Sequence, residues 1–383
     1  MGPATLNEVT LLLTAFLYGN AIINTIKDST IMKLFFIWFV YSMLLLLIGV
    51  TKFGLIALRD ATHQVDLLTL FIITSLANRF LTKWVIVRII LISLILELCD
   101  RVVLANIFNG FTPFSGQPFF GGSIGSNLIV IAGFWIGVLV KDIAKFYRVI
   151  LILISCSLIL IMQNRYMYIS LISTTLLYLL YYNYGIKAKL SFVLVALVIL
   201  LSIEPIVTLI TFAGADLGSV TKYGKGLSAS GILEHLKTAF GHSSEIYKGA
   251  DDGFVIRFLW WRDILDLALN NFDVMISGQG FGVPLTSGTH LKPVREPHNS
   301  MISIFARGGI FYLLLWLTAL GSRIKFILKN SKSPLDIALT FGLISTLIMS
   351  LVEPAFELPP VCIIFYFFLG YLLRKKDVYT ITN

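Results

Sequence analysis

Long uninterrupted apolar runs constrain this chain more than any other feature. Residues 44–50 and 150–161 are examples, and no single soluble core absorbs so many of them. About 20 predominantly apolar residues cross the hydrocarbon of a bilayer as a helix. Stretches that fit fall near 9–26, 34–51, 67–81, 84–105, 124–140, 148–163, 166–184, 190–212, 300–320, 335–352 and 361–373. The expectation is an all-α, polytopic membrane bundle of about 11 helices, or 10 to 12 because the third and last stretches are short. Only 13% of residues are charged, about half the share of a soluble domain. A soluble enzyme, a disulfide-stapled module and a disordered tail are thereby excluded. The first residues lack a basic region and a small-residue cleavage site, so 9–26 reads as a retained first span.

The net charge of +9 does not point to nucleic acid, because Lys and Arg are dispersed at the ends of apolar runs rather than clustered on one face. With the first residues outside, sixteen Lys and Arg fall in short inner segments against four (Lys52, Arg59, Arg101, Arg165) in short outer ones. That asymmetry is the positive-inside pattern. The three cysteines, Cys99, Cys156 and Cys362, have no metal-type spacing and read as small packing residues.

Three regions follow: an N-terminal bundle over 1–212 with about eight spans, a large outer loop over 213–299, and C-terminal spans over 300–383. The loop holds four of the five histidines and nearly balanced charge. Two apolar stripes at spacings of three and four predict amphipathic helices on the membrane surface: Ile232, Leu233, Leu236 and Phe240, then Phe258, Trp261, Leu265 and Ala268. Gly, Pro and Thr from Gly278 to Pro297 predict a coil leading back to the membrane.

Candidate chemistry gathers around this loop. His298 and Asn299 lie where the coil meets the ninth span, and an imidazole there accepts a proton from a hydroxyl or simply binds a headgroup. Arg257 and Trp261 share a helix face, with no acidic residue one turn from Arg257. A guanidinium offers a planar fork of donors to phosphate oxygens, and lipid headgroups are the plainer partner. Arg262 is placed to pair with Asp266 as a surface ion pair worth under about 1 kcal/mol. Arg165, in the Gln163-Asn164-Arg165 turn, is an outer cation that either has a role or snorkels to the interface. Arg88, Glu97 and Arg307 lie within spans, where charge is costly and points to function. The glycines of Gly278-Gln-Gly280-Phe-Gly282 read as a turn, Asp251-Asp252 as a helix cap, and the acidic turn around Glu353, Pro354 and Glu357 carries no assigned role. No metal-ligand pattern is present.

Taken in order, these residues resemble a known family. His298-Asn299, nine residues, then Gly309-Ile-Phe-Tyr312 is similar to the histidine motif of bacterial O-antigen ligases and O-antigen or capsule polymerases. Arg257 through Trp261-Arg262-Asp263 resembles the family's Arg-x3-Trp segment, Ser277-Gly-Gln-Gly-Phe-Gly282 its Gly-x-Gly stretch, and Asn164-Arg165 its Ser-Arg turn with Asn in place of Ser. The resemblance covers roughly residues 150–320.

It implies a GT-C-like membrane glycosyltransferase of the bacterial inner membrane with its site facing the periplasm. The donor is a glycan on undecaprenyl pyrophosphate, and no cofactor or metal is needed. Arg165 and Arg257 would hold the pyrophosphate and His298 would deprotonate the acceptor hydroxyl, with inversion at the anomeric carbon. Asn299, Trp261, Arg262 and Arg307 would contact substrate. The partners implied are that donor, a glycan or lipid A–core acceptor, membrane lipids and a chain-length regulator, with no nucleic acid. Polymerisation of repeat units is the leading activity, ligation to lipid A–core the first alternative, and a lipid-linked glycan flippase or a structural scaffold the others.

Overall fold

In a computed structural model of the protein, the described residues are 6–100, 124–162, 165–181, 250–286, 294–331 and 333–374. Every regular element among them is helical, as apolar runs demand, since a helix satisfies its own backbone where water is absent. The chain divides into two compact units, Met1–Val87 with Ile256–Asn383, and Arg88–Val255.

The first unit opens with α1 (Leu6–Leu17) and α2 (Gly19–Asp28), then α3 (Thr30–Phe53), α4 (Leu55–Val65) and α5 (Leu68–Phe80). Ser29 caps α3 by accepting from the Met32 amide at 3.3 Å, and Gly54 at φ 63° turns the chain into α4. Along α3, Phe35, Trp38, Ser42 and Gly49 are buried while Ile37, Leu44, Leu47 and Ile48 are exposed. An apolar exposed face on an apolar helix is what lipid requires.

α6 (Lys83–Cys99) leads into the second unit, which holds α7 (Ile124–Leu139), α8 (Lys145–Met162) and α9 (Arg165–Tyr181). Small residues let α7 and α8 approach, because a Cβ on Gly137 would collide with Ile152 and the Arg148 carbonyl. Arg148 Nε donates to the Gly137 carbonyl at 3.0 Å, and Trp135 Nε1 to Thr174 Oγ1 of α9 at 3.3 Å.

The chain returns through α10 (Ala250–Asn270), the short α11 (Phe272–Ser277), α12 (Ser300–Asn330), α13 (Pro334–Ser350), a 3-10 turn (Ala355–Glu357) and α14 (Pro359–Leu372). Ser333 and Pro334 start α13 by capping and a preset φ. Arg374 closes the C-terminal hairpin onto Asp336 at 3.0 Å.

α3 and α12 are long and apolar enough to cross a membrane, and α1 with α2 makes a third candidate if the pair is one broken span. The chain therefore reads as a membrane protein. Other expected spans that fall on described residues are helices, but most are shorter than a bilayer crossing, and the expected span 190–212 lies outside the described residues. Two expectations change in form. The span 9–26 is not straight: α1 and α2 meet at 78°, the break falling at Tyr18-Gly19, where glycine weakens the helix. The span 300–320 runs on to Asn330 and is interrupted at Gly309, whose φ is 78°.

The loop's second expected helix is α10, but its inward face differs from the expected stripe. Ile264 and Ala268 are buried, whereas Phe258 and Leu265 are exposed; Ile264 packs with Leu285 of the coil and with Ile302 and Ala306 of α12. The first stripe, 232–240, lies outside the described residues. Gly278 to Thr286 forms the expected coil, with positive φ at Gly278, Gly280 and Gly282. Of the cysteines, Cys362 is buried and Cys156 half-buried, while Cys99 at the end of α6 is exposed rather than packed.

Candidate functional site

Two arginine clusters sit in the first unit, and they are built differently. The first begins with α10 and α12. Trp261 Nε1 donates to the Pro297 carbonyl at 2.7 Å, fixing the residue before His298. Asn299 caps α12 by accepting from the Ile302 amide at 3.1 Å, fixing the residue after. Between these anchors His298 sits at φ 52°, the one non-glycine at positive φ among the described residues. A strained backbone persists only when its surroundings over-determine it, and such residues cluster at functional sites.

The strained backbone presents the imidazole to Glu353. His298 Nδ1 lies 3.5 Å from Glu353 Oε2, and Arg257 Nη1 lies 3.5 Å from Glu353 Oε1 while donating to the Val352 carbonyl at 3.0 Å. The carboxylate thus stands between the guanidinium and the imidazole. Glu353 and Arg257 side chains are 16% and 18% exposed and His298 38%, so the site is half-sheltered and open on the histidine side. Trp260 lies nearly parallel to the imidazole, ring centroids 6.1 Å apart. In the tautomer that carries its proton on Nδ1, facing Glu353, Nε2 is the nitrogen left to take a proton; a carboxylate in that position orients the ring. Separations of 3.5 Å are long for hydrogen bonds, as catalytic pairs often are before substrate tightens them.

Sequence reasoning placed Arg257 and His298 together but gave Glu353 no role and Arg257 no carboxylate partner. The structure corrects this: the partner comes from a separate segment, 96 residues along the chain from Arg257. The signal that was present was an acidic pair, Glu353 and Glu357, in a short outer turn. Ser300 ties that turn to α12, its hydroxyl lying 2.5 Å from Glu357 Oε2 and 3.3 Å from the Glu353 carbonyl, while the Phe356 amide donates to it at 3.0 Å. Burial pushes the Glu357 carboxyl up to about 7, partly offset by the bond to Ser300.

The second cluster centres on Asp60 of α4, a carboxylate only 4% exposed. Its Oδ2 accepts from Arg295 at 2.5 Å, Arg307 at 3.3 Å and the Gly282 amide at 3.3 Å. Arg307 also donates to the carbonyls of Gly280, Val283 and Arg295 at 2.9, 2.7 and 3.2 Å. Arg307 therefore holds the glycine coil against α12. Glycines complete the joint: a Cβ on Gly278 would strike the Arg307 carbonyl, and one on Gly309 would strike that of Ile276. Phe281, fully buried against Ala57 and Ala61, anchors the coil on α4.

This explains the spacing of the histidine motif physically. Asn299 starts the helix, nine residues wind to Gly309, and only glycine admits the coil at the break. Tyr312, one turn on, is fully buried, its hydroxyl 2.5 Å from Ser42 Oγ and donating to Gln64 Oε1 at 3.0 Å. Trp38 stacks on it with centroids 4.7 Å apart.

Of the remaining expected residues, Arg262 and Asp266 are both exposed and the expected pair between them does not form. Arg165 opens α9 in the second unit; its side chain, with Gln163 and Asn164, lies outside the described residues, as do the side chains of Asp251 and Asp252. Arg88 is exposed and Glu97 half-buried on α6. Among the described residues no group of three or more His, Cys, Asp or Glu side chains is arranged to hold a metal. Compared with known proteins, the chain matches no family model and no curated protein.

Proposed function

We propose that this protein is a membrane glycosyltransferase of the bacterial inner membrane, moving a glycan from undecaprenyl pyrophosphate on the periplasmic face. The observation that carries the reading is the Glu353 carboxylate standing between Arg257 and His298. An oriented imidazole takes the proton from an acceptor hydroxyl, and that oxygen attacks the anomeric carbon. The carbon–oxygen bond to the pyrophosphate breaks, and undecaprenyl pyrophosphate departs with the bonding pair. Attack opposite the leaving group inverts the centre. The Arg257 guanidinium neutralises the departing anion in the role a divalent ion otherwise fills. Trp261 and Asn299 position His298, and Arg262 is exposed toward substrate or lipid. The outward placement rests on the charge asymmetry of the short segments.

Polymerisation of O-antigen or capsular repeat units is the favoured activity, with a chain-length regulator as partner; ligation to lipid A–core uses the same donor chemistry. Purified protein supplied with lipid-linked repeats, with and without core acceptor, separates them. Ladders without core mean polymerase, and core-dependent product means ligase. The His298→Ala variant is expected to make neither; if it supported full glycan assembly, transport would replace transfer as the activity.

A further inference from the structure

Beside the His298 cluster lies a cavity of about 230 Å³, lined by Arg59, Asp60, Arg295, Glu296, Ser303 and Glu357, with His63 and Arg307 at its wall. All eight side chains are polar. At roughly 30 Å³ per water, the space equals about eight waters, the bulk of a single sugar ring and far less than a polyprenyl chain. Glu357 joins the cavity to the dyad, because the Ser300 hydroxyl that holds it also meets the Glu353 backbone.

The lining selects against ions. The guanidiniums of Arg59, Arg295 and Arg307, all three on Asp60, face the carboxyl groups of Asp60, Glu296 and Glu357, so the lining carries little net charge to draw an ion of either sign. What the lining offers is hydrogen bonding. Glu357 Oε1 is buried with no hydrogen-bond partner among the described residues, an acceptor that costs about 1–3 kcal/mol until a donor meets it. Burial and the Arg307 charge hold the His63 imidazole neutral, its pKa lowered to about 3. Ser303 adds a hydroxyl, and Arg59, 58% exposed with its guanidinium 3.4 Å from Asp60 Oδ1, stands at the mouth. Donors and acceptors around one ring-sized space are the complement of a polyhydroxylated pyranose.

We propose that this cavity is a subsite for one uncharged sugar ring, the terminal residue of the acceptor glycan, with Glu357 Oε1 accepting from a ring hydroxyl. Its place on the acceptor side rests on the transferase reading, through the neighbouring imidazole; sugar binding itself does not.

The test uses the full chain in phosphatidylcholine nanodiscs and saturation-transfer NMR with glucose, galactose, N-acetylglucosamine, N-acetylgalactosamine and rhamnose as separate probes. At least one sugar is expected to show transfer with the wild type and with His298→Ala. Ser303→Phe, which fills the space, should abolish the signal. Arg59→Ala, at an exposed position on the cavity mouth, should weaken it about fivefold, the worth of one hydrogen bond. No signal from any of the five sugars, signal unaffected by both cavity variants, or displacement by inorganic pyrophosphate would overturn the proposal. If sugar binds but His298→Ala leaves glycan assembly intact, the transferase reading fails while the subsite stands. If His298→Ala abolishes assembly and no sugar binds, the reverse holds.

Discussion

The two arginine clusters make a controlled comparison within one unit. Around Asp60, guanidinium and carboxylate meet at 2.5, 3.3 and 3.4 Å; Asp60 and Arg307 are buried, Arg295 and Arg59 edge the cavity, and Arg307 reaches three backbone carbonyls. Around Glu353, the same chemical groups stand 3.5 Å apart and the imidazole is more than a third exposed. Close, buried pairing fixes a fold, since breaking it strands a charge. Loose pairing at an open edge leaves room for a substrate to enter and tighten it. Similar residue types thus form a tight structural joint in one place and a loose, half-open cluster in the other, the one to which the proposed function assigns the chemistry.

The comparison is broken most directly by removing each centre in turn. His298→Ala should lower transfer about 100- to 10,000-fold while the melting temperature in detergent stays put; a matching fall in stability would make His298 part of a structural joint too. Asp60→Ala should do the opposite, costing about 3–5 kcal/mol in a thermal or denaturant melt, because Arg307 is left buried without its counter-charge. Equal stability of that variant would remove the distinction between the clusters. Glu353→Gln sharpens the open side: kcat should fall about 10- to 100-fold, as for other carboxylates that orient a histidine, with KM little changed.

A pH dependence belongs to Glu357, whose carboxyl is pushed up to about 7 by burial. An acid with a raised folded-state pKa binds its proton in the native state where the unfolded chain has lost it. Stability from this group is therefore full below about pH 4, falls as pH rises toward 7, and is flat above, by up to about 3 kcal/mol in all. Glu357→Gln should flatten melts recorded from pH 5 to pH 8; an unchanged slope would assign the dependence to other groups.

Helical architecture and the positions of most apolar elements were legible in the sequence, because hydrocarbon admits so few structures that run length alone decides. The long α3 matches its expected span nearly end to end. Breaks were less legible. Gly309 reads in a linear sequence as one glycine in an apolar helix, and only the Ile276 carbonyl pressed against it explains the positive φ. The site was half legible for the same reason. His298, Asn299, Arg257 and Trp261 lie close enough along the chain to form recognisable spacings. Glu353 and Asp60 reach them from other segments, and nothing local to either residue announces the meeting. The stripe on α10 failed where two neighbours compete for one helix: periodicity fixes which residues share a face but not which face turns inward.

One oxygen atom has consequences out of proportion to its size. Because the Ser300 hydroxyl grips the turn bearing Glu353 from the first residue of the helix that follows His298, any rocking of that helix end carries imidazole and carboxylate along as passengers on one platform. A joint of this kind keeps their mutual spacing when both are repositioned, which on the proposed transferase reading would let a bulky saccharide enter without detuning the base.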